Sequence, residues 1–293
     1  MLSYRKLAMR VLGRPLHTGG NDSPRPASQR AAAFILTAAM LTTLAAPAFA
    51  DTWCIENGNI TVKAGDTEGT NKVSQGSIID REDTNTIITN SDKDTASSNT
   101  VTIDAGNDKV EVTLDNVNIK AGSGSALTSK GDVTLTLKGD NHLTGGISDT
   151  GNYGRNGIAS TGSLTISGGS TVTANGGNGG NVSGDGISSN GSVTISGGTV
   201  KAAGGDSKDG YGGDGIRSDG GVTISGNTVN AAGGSGGKVG GYGICSFDRV
   251  AISGGTVTAN GGDGSSGGDG IRSGDIDLSG SLELTAKAGS PNG

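Results

Sequence analysis

The stretch Gly157-Ile158-Ala159-Ser160-Thr161-Gly162-Ser163-Leu164-Thr165-Ile166-Ser167-Gly168-Gly169-Ser170-Thr171-Val172-Thr173-Ala174-Asn175-Gly176-Gly177 decides the fold, because it recurs down the C-terminal half of the chain. Each copy runs through a Gly-rich loop, G-I-x-S, V/L-T-I-S-G and T-V-x-A-x-G-G, with small departures. Ile158, Ile187, Ile216, Ile244 and Ile271 hold the same place, at spacings of 29, 29, 28 and 27 residues. A fixed period in the twenties is the mark of a solenoid in which each repeat is one turn.

Within a repeat the apolar residues alternate with threonine, as in Leu164-Thr165-Ile166 and Val172-Thr173-Ala174, which is the pattern of a half-buried strand. The same places recur as Val193, Ile195, Val200 and Ala202, as Val222, Ile224, Val229 and Ala231, and as Val250, Ile252, Val257 and Ala259. A last copy reads Ile276, Leu278, Leu284 and Ala286. Three short strands per repeat cannot close as hairpins. Equivalent strands must pair in parallel with the coils above and below, about 4.8 Å away, stacking Ile on Ile and Val on Val. The predicted fold is an all-β parallel β-helix, right-handed because parallel crossovers almost always are. Glycines at 168/169, 197/198 and 254/255 are expected to supply positive φ at the turns. No proline occurs between Asp51 and Ser290, as ladders that use every N–H require.

Upstream, Val112, Leu114, Val117 and Ile119, then Leu127, Val133, Leu135, Leu137 and Leu143, read as two earlier coils without the long loop. Ile60, Val62, Ile78, Ile79, Ile87 and Ile88 are weaker strand signals in a polar stretch expected to cap the first coil. The organisation is therefore a leader over 1–50, a cap and irregular strands over 51–100, and coils over 101–293, regular from about 157 to 288. Only Lys287-Ala288-Gly289-Ser290-Pro291-Asn292-Gly293 follows Ala286, without a visible cap or sorting motif, as in a piece of a longer protein.

The leader combines Arg5, Lys6, Arg10, Arg14, Arg25 and Arg30 with an apolar run from Ala31 to Leu44 and the small-x-small site Ala48-Phe49-Ala50. These are the parts of a secretory signal cleaved after Ala50, predicting a secreted or cell-surface protein. The apolar run is too short for a convincing spanning helix. Removing six basic and one acidic residue from totals of 22 and 28 leaves 16 and 27, a net charge near −11. That balance argues against nucleic acid and anionic membranes as partners, and a polyanionic ligand would need a bridging cation. The two cysteines, Cys54 and Cys245, lie far apart along the stack and are expected to be unpaired thiols.

A coil needs only about twenty residues, so the surplus at 175–185, 204–214, 233–242 and 261–269 is expected to bulge outward on one side, the usual binding side of solenoids. Asp185, Asp214 and Asp269 precede the repeating G-I by the same step, where Asn156 and Tyr242 stand in the other copies. Carboxylates along one edge suit Ca²⁺, a hard cation. Asp and Asn are also ordinary turn residues that bond backbone N–H groups, and that reading stands beside the metal one. The loops do not continue as G-G-x-G-x-D, so they are not the short calcium-binding β-roll repeat.

Sugar binding is read on the aromatics. Tyr153 and Tyr211 each lie five residues before their repeat's Ile, two coils or about 9.6 Å apart, near the length of a disaccharide. Tyr242 lies in the next loop. The hydroxyl column Thr165, Thr194 and Thr223 offers an alternative track for a glycan. Catalysis has less to stand on: Arg217 or Arg272 in the role of a lyase base, or His142 in what reads as a turn.

The segments Val112-Thr113-Leu114-Asp115-Asn116-Val117-Asn118-Ile119 and Ser125 to Leu143, with the G-S-L-T-I-S-G-G coils, make residues 101–286 resemble the secreted carbohydrate-binding β-helix proteins of anaerobic bacteria. The resemblance implies a non-catalytic protein that binds acidic polysaccharide such as polygalacturonate, with calcium assisting. An adhesin or structural stalk, a polysaccharide lyase and an ice-binding solenoid are the competing readings; Ala251 and Asp277 interrupt the Thr array that the last would need.

Overall fold

The computed structural model describes residues 50–291; the leader read over 1–50 lies outside them except for Ala50. The described chain is an all-β solenoid of about seven turns, as the period predicts. Near its start are β1 (Thr52–Cys54), β2 (Ile60–Ala64), β3 (Asn71–Gln75), β4 (Ile78–Asp83) and β5 (Ile87–Thr89). Two long coils follow: β6 (Val101–Asp115) with β7 (Asn118–Lys120), and β8 (Leu127–Lys138) with β9 (Asp140–Thr144). The regular coils are β10 (Ile158–Ser160), β11 (Leu164–Gly168) and β12 (Thr171–Asn175); then β13 (Ile187–Ser189), β14 (Val193–Ile195) and β15 (Thr199–Ala203). After them come β16 (Ile216–Ser218), β17 (Val222–Ile224) and β18 (Asn227–Ala232), and β19 (Ile244–Ser246), β20 (Arg249–Ile252) and β21 (Gly255–Asn260). The last coil is β22 (Ile271–Arg272), β23 (Asp275–Leu278) and β24 (Leu282–Lys287).

Register follows the sequence period. Leu127, Ile158, Ile187, Ile216, Ile244 and Ile271 pair successively in parallel. So do Val133, Leu164, Val193, Val222, Val250 and Ile276 on the second side. Val172, Val200, Val229, Val257 and Leu284 line the third. Up to Val257 these residues are at most 2 % exposed, so the core is a bundle of aliphatic columns. The serine of G-I-x-S faces inward too. Ser189, Ser218 and Ser246 donate to the carbonyls of Gly162, Gly191 and Gly220 in the coil below, tying each corner to its neighbour. A buried hydroxyl is tolerated because it is bonded.

Several expectations need correcting. Gly168, Gly198, Gly254 and Gly255 have positive φ, but Gly169 and Gly197 do not. Gly197 is required instead by crowding: a Cβ there would sit 2.3 Å from the Gly168 carbonyl oxygen. His142 is not in a turn. It lies on β9, paired between Asn118 and Thr173 and pointing outward beside Asp140. Ile78 and Ile79 do form a strand, but on a hairpin that leaves them exposed, so they are not core.

The polar first segment ends the stack. β2 pairs in parallel with β6, and β3 and β4 then run antiparallel beyond it. Buried Asp83 accepts from the Trp53 indole and from the N–H groups of Asp51 and Asn85, while Gln75 donates to the carbonyls of Cys54 and Gly58. Among the described residues no helix is long and apolar enough to cross a membrane.

Candidate functional site: a groove beside the glycine ridge

The Gly-rich segments are not loose bulges. Each leaves the third side, turns and returns beside itself, and successive excursions interlock. One chain of backbone hydrogen bonds runs Gly184 to Gly177, Gly205 to Gly184, Gly213 to Gly205, Gly234 to Gly213, Gly241 to Gly234 and Gly262 to Gly241, each N–H donating at 2.8–2.9 Å. These glycines are needed for close approach, since a Cβ on Gly176, Gly184, Gly205, Gly213, Gly234 or Gly241 would fall 1.8–2.3 Å from a neighbouring backbone atom. The result is a ridge of backbone packed on backbone.

The acids support this ridge. Asn156 Oδ1 accepts from Asp185 N–H, Asp185 Oδ1 from Asp214 N–H, and Asp214 Oδ1 from Tyr242 N–H, at 2.7–2.8 Å. Farther out, Asn178, Asp206 and Asp263 cap Asp206, Ser235 and Ser290 in the same way. The repeating Asp is therefore a rung between coils, which is the turn-residue role. Stacking brings Asp185 and Asp214 together, but Asp269 stands two coils beyond Asp214, exposed, with Tyr242 between them. Among the described residues no three His, Cys, Asp or Glu side chains gather as a metal site. Asp185 and Asp214 each commit one oxygen to a backbone N–H, and the other oxygen of Asp214 faces Arg217 at 3.6 Å. That donor set fits Ca²⁺ poorly, since the ion takes six to eight oxygens.

Asp214 is 5 % exposed, and burial followed by the neighbouring Asp185 carboxylate pushes its pKa up to about 7, against the pull of Arg217. Burial pushes Asp185 up as well. Cys245 is buried in the same wall, its thiol raised to about 11 by burial and then by Asp214, and both cysteines are free.

Between ridge and first side lies a groove of about 590 Å³, lined by Asn156, Val182, Asp185, Tyr211, Asp214, Arg217, Val239, Tyr242 and ridge glycines. Its outer lip is a parallel ladder in which Tyr153 pairs with Val182, Val182 with Tyr211, Tyr211 with Val239 and Val239 with Ser266. Tyr153 and Tyr211 are thus two coils apart in register, 51 % and 49 % exposed, with Val182 between them. The structure brings Tyr211, Tyr242, Asp185 and Asp214 into one groove and places Tyr153 on the same lip. Thr165, Thr194 and Thr223 form an unbroken column with Thr134, but on the second side, away from the lining.

Cations mark the groove in a chain that is acidic overall. Arg217 lies 4.9 Å over the Phe247 ring, Lys238 5.9 Å over Tyr211, and Arg272 4.9 Å over Tyr242, to whose hydroxyl it also donates. Each pair is within range for a cation–π contact. Net charge concealed this cluster. The signal available was positional: Arg217 and Arg272 both follow their ladder Ile, two coils apart, like the two tyrosines. A second hollow of about 650 Å³ lies beside the N-terminal cap, lined by Asp66, Glu68, Asp108, Glu111 and Asp132 with Lys109, and it lacks aromatic side chains. No protein-family model, no curated protein and no solved structure matches this chain.

Proposed function

We propose that this is a secreted or cell-surface carbohydrate-binding solenoid, non-catalytic, whose groove holds an acidic polysaccharide along the stack. The observation that carries the reading is the lip itself: exposed Tyr153 and Tyr211 stand two coils apart on it, with Arg217 on the coil of Tyr211 and Arg272 two coils farther on. Tyrosine rings offer flat apolar faces to pyranose rings at low entropic cost. The guanidiniums match carboxylates through paired N–H donors. A polymer lying along the stack would meet Tyr153, then Tyr211 with Arg217, then Arg272, at steps of about 9.6 Å.

The local cations change how a polyanion would be held. Arg217, Lys238 and Arg272 offer direct pairing, so binding through them needs no bridging ion, and calcium assistance becomes a separate proposal. Calorimetric titration with polygalacturonate, with Ca²⁺ and with excess chelator, tests both. Saturable heat in chelator that is lost in Arg217→Ala and Arg272→Ala supports direct pairing. Heat that appears only with Ca²⁺ supports a bridging cation. No heat in either condition sinks this ligand and leaves the adhesin or stalk reading, which the use of the acids as backbone rungs favours.

A further inference from the structure

Two acids stand side by side in the groove wall, and the fold does not let them turn away. Asp185 and Asp214 hold the same place in successive coils, about 4.8 Å apart along the stack. Each is pinned by the oxygen that accepts from the next coil's N–H, and Asp214 is almost wholly buried. The second oxygen of Asp214 faces the Arg217 guanidinium at 3.6 Å, and the Ser188 side chain bonds Asp185. Ser188, Arg217, Cys245 and Arg272 follow one another in register on the outward face of the first side. Charge therefore reaches this wall from each coil that packs on it: Asp185 from the coil before, Arg217 from the coil of Asp214, and Arg272, whose charge acts on the Cys245 thiol as those of Asp214, Arg217 and Asp185 do. Asp269 is exposed beyond Tyr242, and Lys238 lies on the lip over Tyr211. Two carboxylates this close and cut off from water do not both ionise freely.

We propose that Asp185 and Asp214 make the groove's hold on an acidic polysaccharide depend on a proton: with Asp214 protonated, Arg217 is free for a glycan carboxylate, and with both acids ionised, Arg217 is retained and the glycan released. The inference rests on the carbohydrate-binding reading and adds its regulation. Asp214 acts through Arg217 and is a positioning residue. Burial and the Asp185 charge put its titration at about 7, where a modest change of pH moves it. A glycan carboxylate beside Arg217 adds another like charge and raises Asp214 further, so binding takes up a proton. The glycan itself stays charged, because an ordinary carboxylate titrates at about 4.

Calorimetric titration of the full chain with polygalacturonate, in chelator and in two buffers of different ionisation heat, reads affinity and proton uptake together. Between about pH 6 and about pH 8.5 the wild type should lose about tenfold in affinity, and it should take up about one proton per groove near the upper end. Asp214→Asn, which keeps an oxygen for the Tyr242 N–H, should bind without proton uptake and hold its affinity across the range. Asp185→Asn keeps its rung to Asp214 but removes the like charge, so the fall should move to lower pH. Circular dichroism checks that both variants fold, and either one alone decides the matter. Saturable binding with a flat pH profile and no proton uptake overturns the proton dependence and leaves the carbohydrate reading standing. So does a wild-type fall in Asp214→Asn, an unmoved fall in Asp185→Asn, or binding that appears only when Ca²⁺ replaces the chelator. No binding at any pH, with chelator or with Ca²⁺, overturns both.

Discussion

The strand stack and the glycine ridge are built from the same repeats and held together by different physics. In the stack, parallel ladders carry aliphatic columns that bury nearly all their surface, and burial of apolar area is the driving force. In the ridge there is little side chain to bury; backbone lies against backbone, satisfied by hydrogen bonds at 2.8–2.9 Å and admitted by glycine alone. The stack should therefore fail globally when a side chain is removed, whereas the ridge should fail locally when one is added.

The largest expected effect is in the stack. Ile195→Ala, at the centre of its column and 0 % exposed, should cost about 4 kcal/mol and lower the midpoint of the whole unfolding transition in denaturant. Next comes Gly234→Ala, whose Cβ would lie 2.0 Å from the Gly205 carbonyl oxygen. A loss of about 2–3 kcal/mol is expected. Hydrogen exchange should show the amides of Gly213, Gly241 and Gly262 losing protection while those of β14 and β17 keep theirs. Gly169→Ala is the control, with nothing within 4 Å of the added carbon. If Gly234→Ala instead melts the stack along with the ridge, the two regions are one cooperative unit.

Where the regions join, smaller effects are expected. Ser218→Ala leaves the Gly191 carbonyl without its side-chain donor and should cost about 1–2 kcal/mol. Asp214 joins ridge to groove, and its raised pKa fixes the sign of a pH effect. The fold favours the protonated acid, so the stability it contributes is present below its ordinary 3.8 and is lost as pH rises through about 7. Asp214→Asn keeps an oxygen for the Tyr242 N–H and should flatten that decline, being the more stable form at pH 8 by roughly 1–2 kcal/mol. A decline of the same slope in the variant would mean that other groups carry it. Smallest is Tyr211→Ala, an exposed position on the lip, which should shift stability by less than about 0.5 kcal/mol. Its effect is expected in glycan titrations rather than in unfolding curves.

Much of the stack was legible in the residues. Period, strand positions, parallel pairing and the two-coil separation of Tyr153 from Tyr211 all follow from the places of Ile158, Ile187 and Ile216, because a solenoid repeats in space what it repeats in sequence. The order within the Gly-rich segments was not legible. Glycine has no side chain to announce which backbone it will meet, so runs such as Gly176-Gly177 and Gly233-Gly234 read as slack loop. The role of the acids was open for a related reason. Asp185 and Asp214 become rungs only when register brings the next coil's N–H to their oxygens, and only burial then separates a structural carboxylate from a cation ligand.

The sequence by itself determined the all-β solenoid, its register and the side from which the surplus residues leave, since those depend on periodicity and on the alternation of apolar with polar side chains. The tertiary structure alone decided that the surplus folds into a hydrogen-bonded ridge and that Arg217, Lys238 and Arg272 gather over aromatic rings in an acidic chain. Those features depend on distances between segments 7 to 21 residues apart in the ridge and 27 to 30 apart for the cation–ring pairs, and it is the closing of each coil that sets such distances.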